Sequence, residues 1–332
     1  MFQFLQKNTT INFILLPIVV ILLWGTNLLN PQFVSHYYDT NPMVLYKPLM
    51  AIQNWNALAG QIVSLVILLI NVIIIIRVNS VTRLIENKSM FFIFLFIFLS
   101  ASLQDYKQLN PMQPALTFLI IGVQLLFNMY KNEHELKKIF EAGFCFAIAS
   151  LFYAPAIYFA ILIFIGLGMF VPFYWRQWLS ALVGLLLPFI LVLSIAFCFD
   201  NFMLQVTTFY ENVMAVNAPP FTILFPIAFS VFLALLFIRS VIYVYLGGTR
   251  KVSTRKYYTL LLFFLMLVLA LYIFVPHVTY DFLFFGGISV SVFIANFMIN
   301  MRSKFWQEVL FVLILAFTVL VQILPEMELS AL

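Results

Sequence analysis

The stretch Ser35-His36-Tyr37-Tyr38-Asp39-Thr40-Asn41-Pro42, followed by Lys47, brings an imidazole, a carboxylate, phenols and an ammonium into one short segment. A carboxylate or imidazole within hydrogen-bond reach of an acceptor hydroxyl takes its proton as a general base. A cation beside it holds a phosphate. A second group, Gln104-Asp105-Tyr106-Lys107, repeats the pairing of carboxylate and ammonium. The candidate catalytic residues are therefore Asp39 and Asp105, with Lys47, Lys107, His36 and Tyr38 as candidate substrate contacts. Asp39-Thr40-Asn41-Pro42 also reads as plain turn chemistry, and Asp105 with Lys107 as a structural ion pair. His36 with Asp39, and His277 with Asp281, have spacings compatible with a metal site when combined, but no zinc or calcium motif accompanies them. No cofactor is expected, and a divalent metal stays an alternative.

These residues are scarce because the chain is built for lipid. Of its 332 residues, 64% are hydrophobic and 9% charged, against roughly 25% charged in soluble domains. Repeated apolar runs near the roughly 18 residues that cross hydrocarbon predict α-helices, since a barrel would alternate polar and apolar residues in short segments. Cys145 and Cys198 both fall in apolar segments and read as small packing residues rather than a disulfide framework. No phosphate-binding glycine loop, nucleophile elbow or zinc-binding helix motif is present.

The expected fold class is an all-α polytopic transmembrane bundle of about 11 spans with a cytoplasmic N-terminus. The first two segments cover about 11–28 and 57–76, and the third, 90–103, is too short for a core of about 30 Å. Its far end, carrying Asp105 and Lys107, should therefore be recessed. A fourth segment starts after Pro111 and Pro114, which suit a helix start. Residues 139–173 are too long for one span, and Tyr153-Ala154-Pro155 divides them into two. Further segments end near Phe199, Tyr245, Val275, Asn300 and Leu324, with 200–220 read as a polar loop. This order places all but Lys47 and Lys107 of the 17 Lys and Arg on one side, as the positive-inside bias requires. The net charge of +5 then reports orientation, and no nucleic-acid partner is expected.

An outward loop with an acidic residue after span one, a second acidic residue at the outer end of span three, and a Lys-rich connector leading through Glu141-Ala142-Gly143-Phe144 into two short spans together resemble the GT-C superfamily of membrane glycosyltransferases. The resemblance covers about 11–193, a GT-C-like core, with additional spans over about 221–324. Tyr153 stands near the place where members often carry a basic residue. The whole chain is also similar to an uncharacterised family of bacterial inner-membrane proteins. One membrane domain over 1–332, with no soluble domain, is expected.

The resemblance implies transfer of a sugar from a polyprenyl-phosphate donor to a glycan, lipid or protein acceptor at the outer face of a bacterial cytoplasmic membrane. It puts the catalytic carboxylate role on Asp39 and the second acidic role on Asp105. Lys47 and Lys107 are expected to contact the donor phosphate without belonging to a matched motif. Two other readings stay open, a non-catalytic subunit or scaffold of an envelope assembly, and a transporter or flippase for a lipid-linked solute.

Overall fold

The computed structural model describes residues 9–29, 31, 41–85, 89–102, 107–130, 135–171, 173–214, 224–246, 252–275 and 282–330. Among these the chain is helical and has no strand. Its helices are α1 (Thr9–Leu29), α2 (Lys47–Trp55), α3 (Ala57–Thr82), α4 (Phe91–Ala101), α5 (Met112–Met129), α6 (Leu136–Phe152), α7 (Ile161–Phe170), α8 (Trp175–Cys198), α9 (Phe202–Met214), α10 (Leu224–Leu246), α11 (Val252–Phe274), α12 (Leu283–Ile299) and α13 (Lys304–Ser330). Four of them, α3, α5, α8 and α11, are long and apolar enough to cross a membrane. The shorter apolar helices α4, α7 and α12 complete the packed bundle with them.

Local chemistry sets the helix ends. Asn56 caps α3 by accepting the Leu58 N–H at 2.9 Å. Arg83 closes the same helix in the left-handed conformation, φ 51°, with its N–H on Asn79 O at 2.8 Å. Asn110 Oδ1 accepts the Met112 N–H at 2.8 Å where α5 begins. The long run 139–173 breaks where its proline predicts. Tyr153 turns extended after α6, and a 3₁₀ segment, Ala154–Ala160, carries the chain into α7.

The short third segment lies at the centre. At 11 residues, α4 is about 16 Å long, and every residue in it except Leu99 is buried, packed by α1, α3, α12 and α13. A helix apolar all round must be wrapped by others. By contrast α8 turns Leu182, Leu186 and Ile190 outward.

Hydrogen bonds define two ends of the bundle. At one, Tyr258 donates to Leu84 O (3.0 Å), Ser180 to Leu136 O (2.9 Å) and Lys256 to Met169 O (2.6 Å). Arg83, Lys137, Lys138, Arg176 and Arg302 are at helix termini of this end. At the opposite end the Leu45 N–H reaches Leu151 O (3.3 Å) and the Tyr46 hydroxyl reaches Leu109 O (3.2 Å). Lys47 and Lys107 are on that side. An aromatic cluster of Tyr153, Phe159, Phe282 and Phe285 fastens the 3₁₀ segment to α12 there, with centroids 5.0–6.1 Å apart.

Two helices depart from the expected loops. The segment after α8 is not only a polar loop, because α9 occupies 13 residues of it. α9 turns Thr208 and Asn212 inward and Met203, Tyr210 and Met214 outward. The last helix is also longer than the expected apolar segment, running to Ser330.

Candidate functional site

The end opposite the basic residues contains a buried polar recess. Its wall is one face of α3, on which Gln61, Ser64 and Asn71 are spaced to fall on the same side. Facing them is the segment from Lys107 into the first turn of α5. The Ser64 hydroxyl is shared between Lys107 O at 3.3 Å and Gln108 O at 3.2 Å, and its oxygen accepts Gln113 Nε2–H at 2.8 Å. Gln113 Nε2 also donates to Gln108 O (3.2 Å), and Asn71 Nδ2 to Gln113 O (3.2 Å). These bonds tie the approach to α5 against α3.

The network leaves polar capacity over. Gln61 is 3% exposed, yet neither its amide nitrogen nor its oxygen finds a hydrogen-bond partner among the described residues. Asn71 Oδ1 and Gln53 Oε1 share that condition. Gln53 comes from α2 and lies against Gly60, where a Cβ would meet its Cγ at 2.9 Å. An orphaned buried polar group costs about 1–3 kcal/mol. Two such side chains on one face of α3, with a third on α2, are a feature of the recess rather than a local defect. The left-over groups are mostly acceptors, so the recess is suited to hydroxyl or amine donors.

Of the sequence-predicted residues, Lys107 belongs to the recess and is 1% exposed. A buried ammonium persists only with acceptors or a counter-charge around it. Lys47, at the start of α2, is exposed instead, and the two cations do not open on one surface. Asp39, His36, Tyr38 and Asp105 lie outside the described residues, as do His277 and Asp281. Among the described residues no group of three or more His, Cys, Asp or Glu could hold a metal ion.

The chain just after residue 40 is held by a latch. Asn41 Nδ2 donates to Glu211 Oε2 (2.9 Å), and Asn212 Nδ2 donates to Asn41 O (2.7 Å). α9 thereby fastens the segment that leads into α2. Tyr153 is buried against Phe282 and Phe285 in an aromatic packing position.

Sequence reasoning missed Gln53, Gln61, Ser64 and Gln113. The three-residue step from Gln61 to Ser64 and the seven-residue step to Asn71, inside an otherwise apolar helix, were the readable trace.

The profile of a family of unknown function, DUF6427, matches residues 42–328. The chain belongs to this family. No curated protein and no solved structure matches the chain. The DUF6427 match begins just after Asn41 and takes in the recess, Lys47, Lys107 and the α9 side of the latch, Glu211 and Asn212. His36, Tyr38 and Asp39 fall before it.

Proposed function

We propose that this DUF6427 protein is an eleven-span protein of a bacterial cytoplasmic membrane, N-terminus inside, that transfers a sugar from a polyprenyl-phosphate donor to an acceptor at the end opposite its basic residues. The observation that supports the reading is the recess. A lysine and several amides are buried together at the end of a helix too short to span, two residues after Asp105 in the sequence. Lipid-embedded polar groups of this kind are costly and favour a functional explanation.

In the proposed reaction Asp39 takes the proton of the acceptor hydroxyl as that oxygen bonds to the sugar's anomeric carbon. The bond from that carbon to the donor phosphate breaks, and the phosphate leaves with the electron pair. Asp105 orients the acceptor. Lys47, the exposed one of the two lysines, offsets the charge that develops on the departing phosphate. The test is transfer of labelled sugar from polyprenyl-phosphate sugar in membranes holding the full chain. Asp39→Asn should lower the rate by roughly a hundredfold or more. Asp39→Asn and Asp105→Asn proteins that both transfer at the wild-type rate overturn the assignment.

One observation favours a second reading, the non-catalytic subunit. Lys107 is enclosed while Lys47 is exposed, and α9 presents Met203, Tyr210 and Met214 outward. That reading expects loss of a co-purifying partner from α9 variants with no change in transfer.

A further inference from the structure

α9 is amphipathic in the sense opposite to a helix in water. Thr208 and Asn212 are buried and Gln205 is half-buried, while Met203, Val206, Tyr210 and Met214 are exposed. A water-facing helix turns its polar residues out. The polar groups of α9 are also committed at home. The Thr207 hydroxyl is shared between Met203 O and Leu204 O, each at 3.0 Å. Glu211, the only charged residue of α9, accepts the Asn41 Nδ2–H at 2.9 Å. Asn212 Nδ2 donates to Thr208 O (2.9 Å) and to Asn41 O (2.7 Å). The centre of the outward face is left to apolar side chains and the Tyr210 ring.

The position of α9 gives that face its surroundings. Only residues 199–201 separate it from α8, with Asp200 in the left-handed region at φ 55° and the Asn201 N–H on Ala196 O at 2.9 Å. This tight turn sends the chain back along α8. Phe209 meets Phe189 edge-on with ring centroids 5.5 Å apart, and Phe189 stands nine residues, about 13 Å, before the end of α8 at Cys198. At 13 residues, or about 20 Å, α9 is too short to cross a core of about 30 Å. It therefore returns into the depth that α8 occupies and stops there. The exposed faces of the two helices meet at Phe197 and Phe202, whose rings are 6.5 Å apart.

We infer that α9 is a re-entrant helix, dipping into the leaflet at the end opposite the basic residues with its Met203, Tyr210 and Met214 face against acyl chains. Continuity with the outward face of α8, a helix long and apolar enough to cross the membrane, is the first argument. Composition is the second. Helices that meet one another in lipid do so through small residues, as α6 and α8 do at Gly143 and Gly184. α9 has no Gly, Ala or Ser, and its outward side chains are long. Acyl chains fit such a face without a matching partner surface. The inward polar face then serves as the fastening, Asn212 to Asn41, with Phe209 and Val213 packed on the cluster of Met43, Tyr46, Leu109 and Ala154. This inference goes beyond the transferase reading and does not rest on it. It opposes the subunit reading, which covers the same face with protein.

The test places spin labels on the full chain in phosphatidylcholine nanodiscs, in a Cys145→Ala, Cys198→Ala background. Met203→Cys and Tyr210→Cys report on α9, Leu186→Cys on the exposed face of α8, and Lys137→Cys, at a side chain 86% exposed, on water. Collision of each label with oxygen, which concentrates in hydrocarbon, is compared with collision with a water-soluble nickel chelate. The oxygen-to-nickel ratio at both α9 sites should match Leu186→Cys and exceed Lys137→Cys by roughly tenfold, a preference of about 1.4 kcal/mol for hydrocarbon. Thermal unfolding checks that each variant is folded, and the two α9 sites test the face independently. A ratio at both α9 sites equal to that of Lys137→Cys puts the face in water and overturns the inference. In native membranes, a photocrosslinking amino acid in place of Tyr210 should give no more protein adduct than one in place of Leu186. A defined protein adduct at Tyr210 alone overturns the inference in favour of a protein partner. Sugar turnover and its response to Asp39→Asn are measured apart from both.

Discussion

The α6–α8 contact and the α3–α5 seam solve the same problem, two helices held together where water cannot help, in opposite ways. Between α6 and α8 the backbones touch. A Cβ on Gly143 would meet Ala181 O at 2.6 Å, and one on Gly184 would collide with Phe140 O. Small residues at a helix crossing allow this close approach and the dispersion contacts that come with it. Between α3 and α5 polar side chains bridge the helices, and part of their hydrogen-bonding capacity is left unused. The first region is a packing device with no slack. The second has more polarity than holding two helices together requires, which is why it is the candidate site.

The largest expected effect comes from breaking the tight contact. Gly184→Ala places its new carbon against a backbone oxygen that cannot rotate away, and should destabilise by about 3 kcal/mol or more. Thermal unfolding in detergent would read this as a fall of several degrees. Gly168→Ala is the matched control, because nothing lies within 4 Å of a Cβ there and Gly168 is inside α7. It should leave stability unchanged or raise it by up to about 1 kcal/mol.

Removing the hub of the seam should come next. Ser64→Ala deprives Gln113 Nε2 of its 2.8 Å acceptor and leaves the carbonyls of Lys107 and Gln108 short of a donor. A loss of about 1–3 kcal/mol is expected, with faster hydrogen exchange confined to the start of α5. Asn212→Ala cuts the 2.7 Å bond to Asn41 O and should cost about 1 kcal/mol. It should also raise protease sensitivity around residues 41–47.

Much of the architecture was legible because lipid imposes simple rules. Apolar runs gave the long helices, and Pro155 gave the break after α6. The helix α9 was not legible. It turns Thr208 and Asn212 in and Met203, Tyr210 and Met214 out, so short-range composition looks like a loop until Asn212 and Asn41 meet across 171 residues. α2 was hidden for a similar reason, since Gln53 is a polar residue buried in tertiary packing, where it lies against Gly60. For the site, the lysines and carboxylates drew attention by their charge. The neutral amides that line the recess did not, because a single Gln in an apolar helix has no fixed meaning until its neighbours on the same face are counted together.

Gln61→Leu separates the two regions most directly, because it keeps the volume of the side chain while removing the groups that the seam does not use for holding itself together. Thermal unfolding of wild type, Gln61→Leu and Gly184→Ala should be measured under the same conditions. The expected result is a melting temperature equal to or above wild type. A melting temperature lowered as far as that of Gly184→Ala would contradict it, by making Gln61 part of the packing and leaving the seam no spare capacity for a ligand.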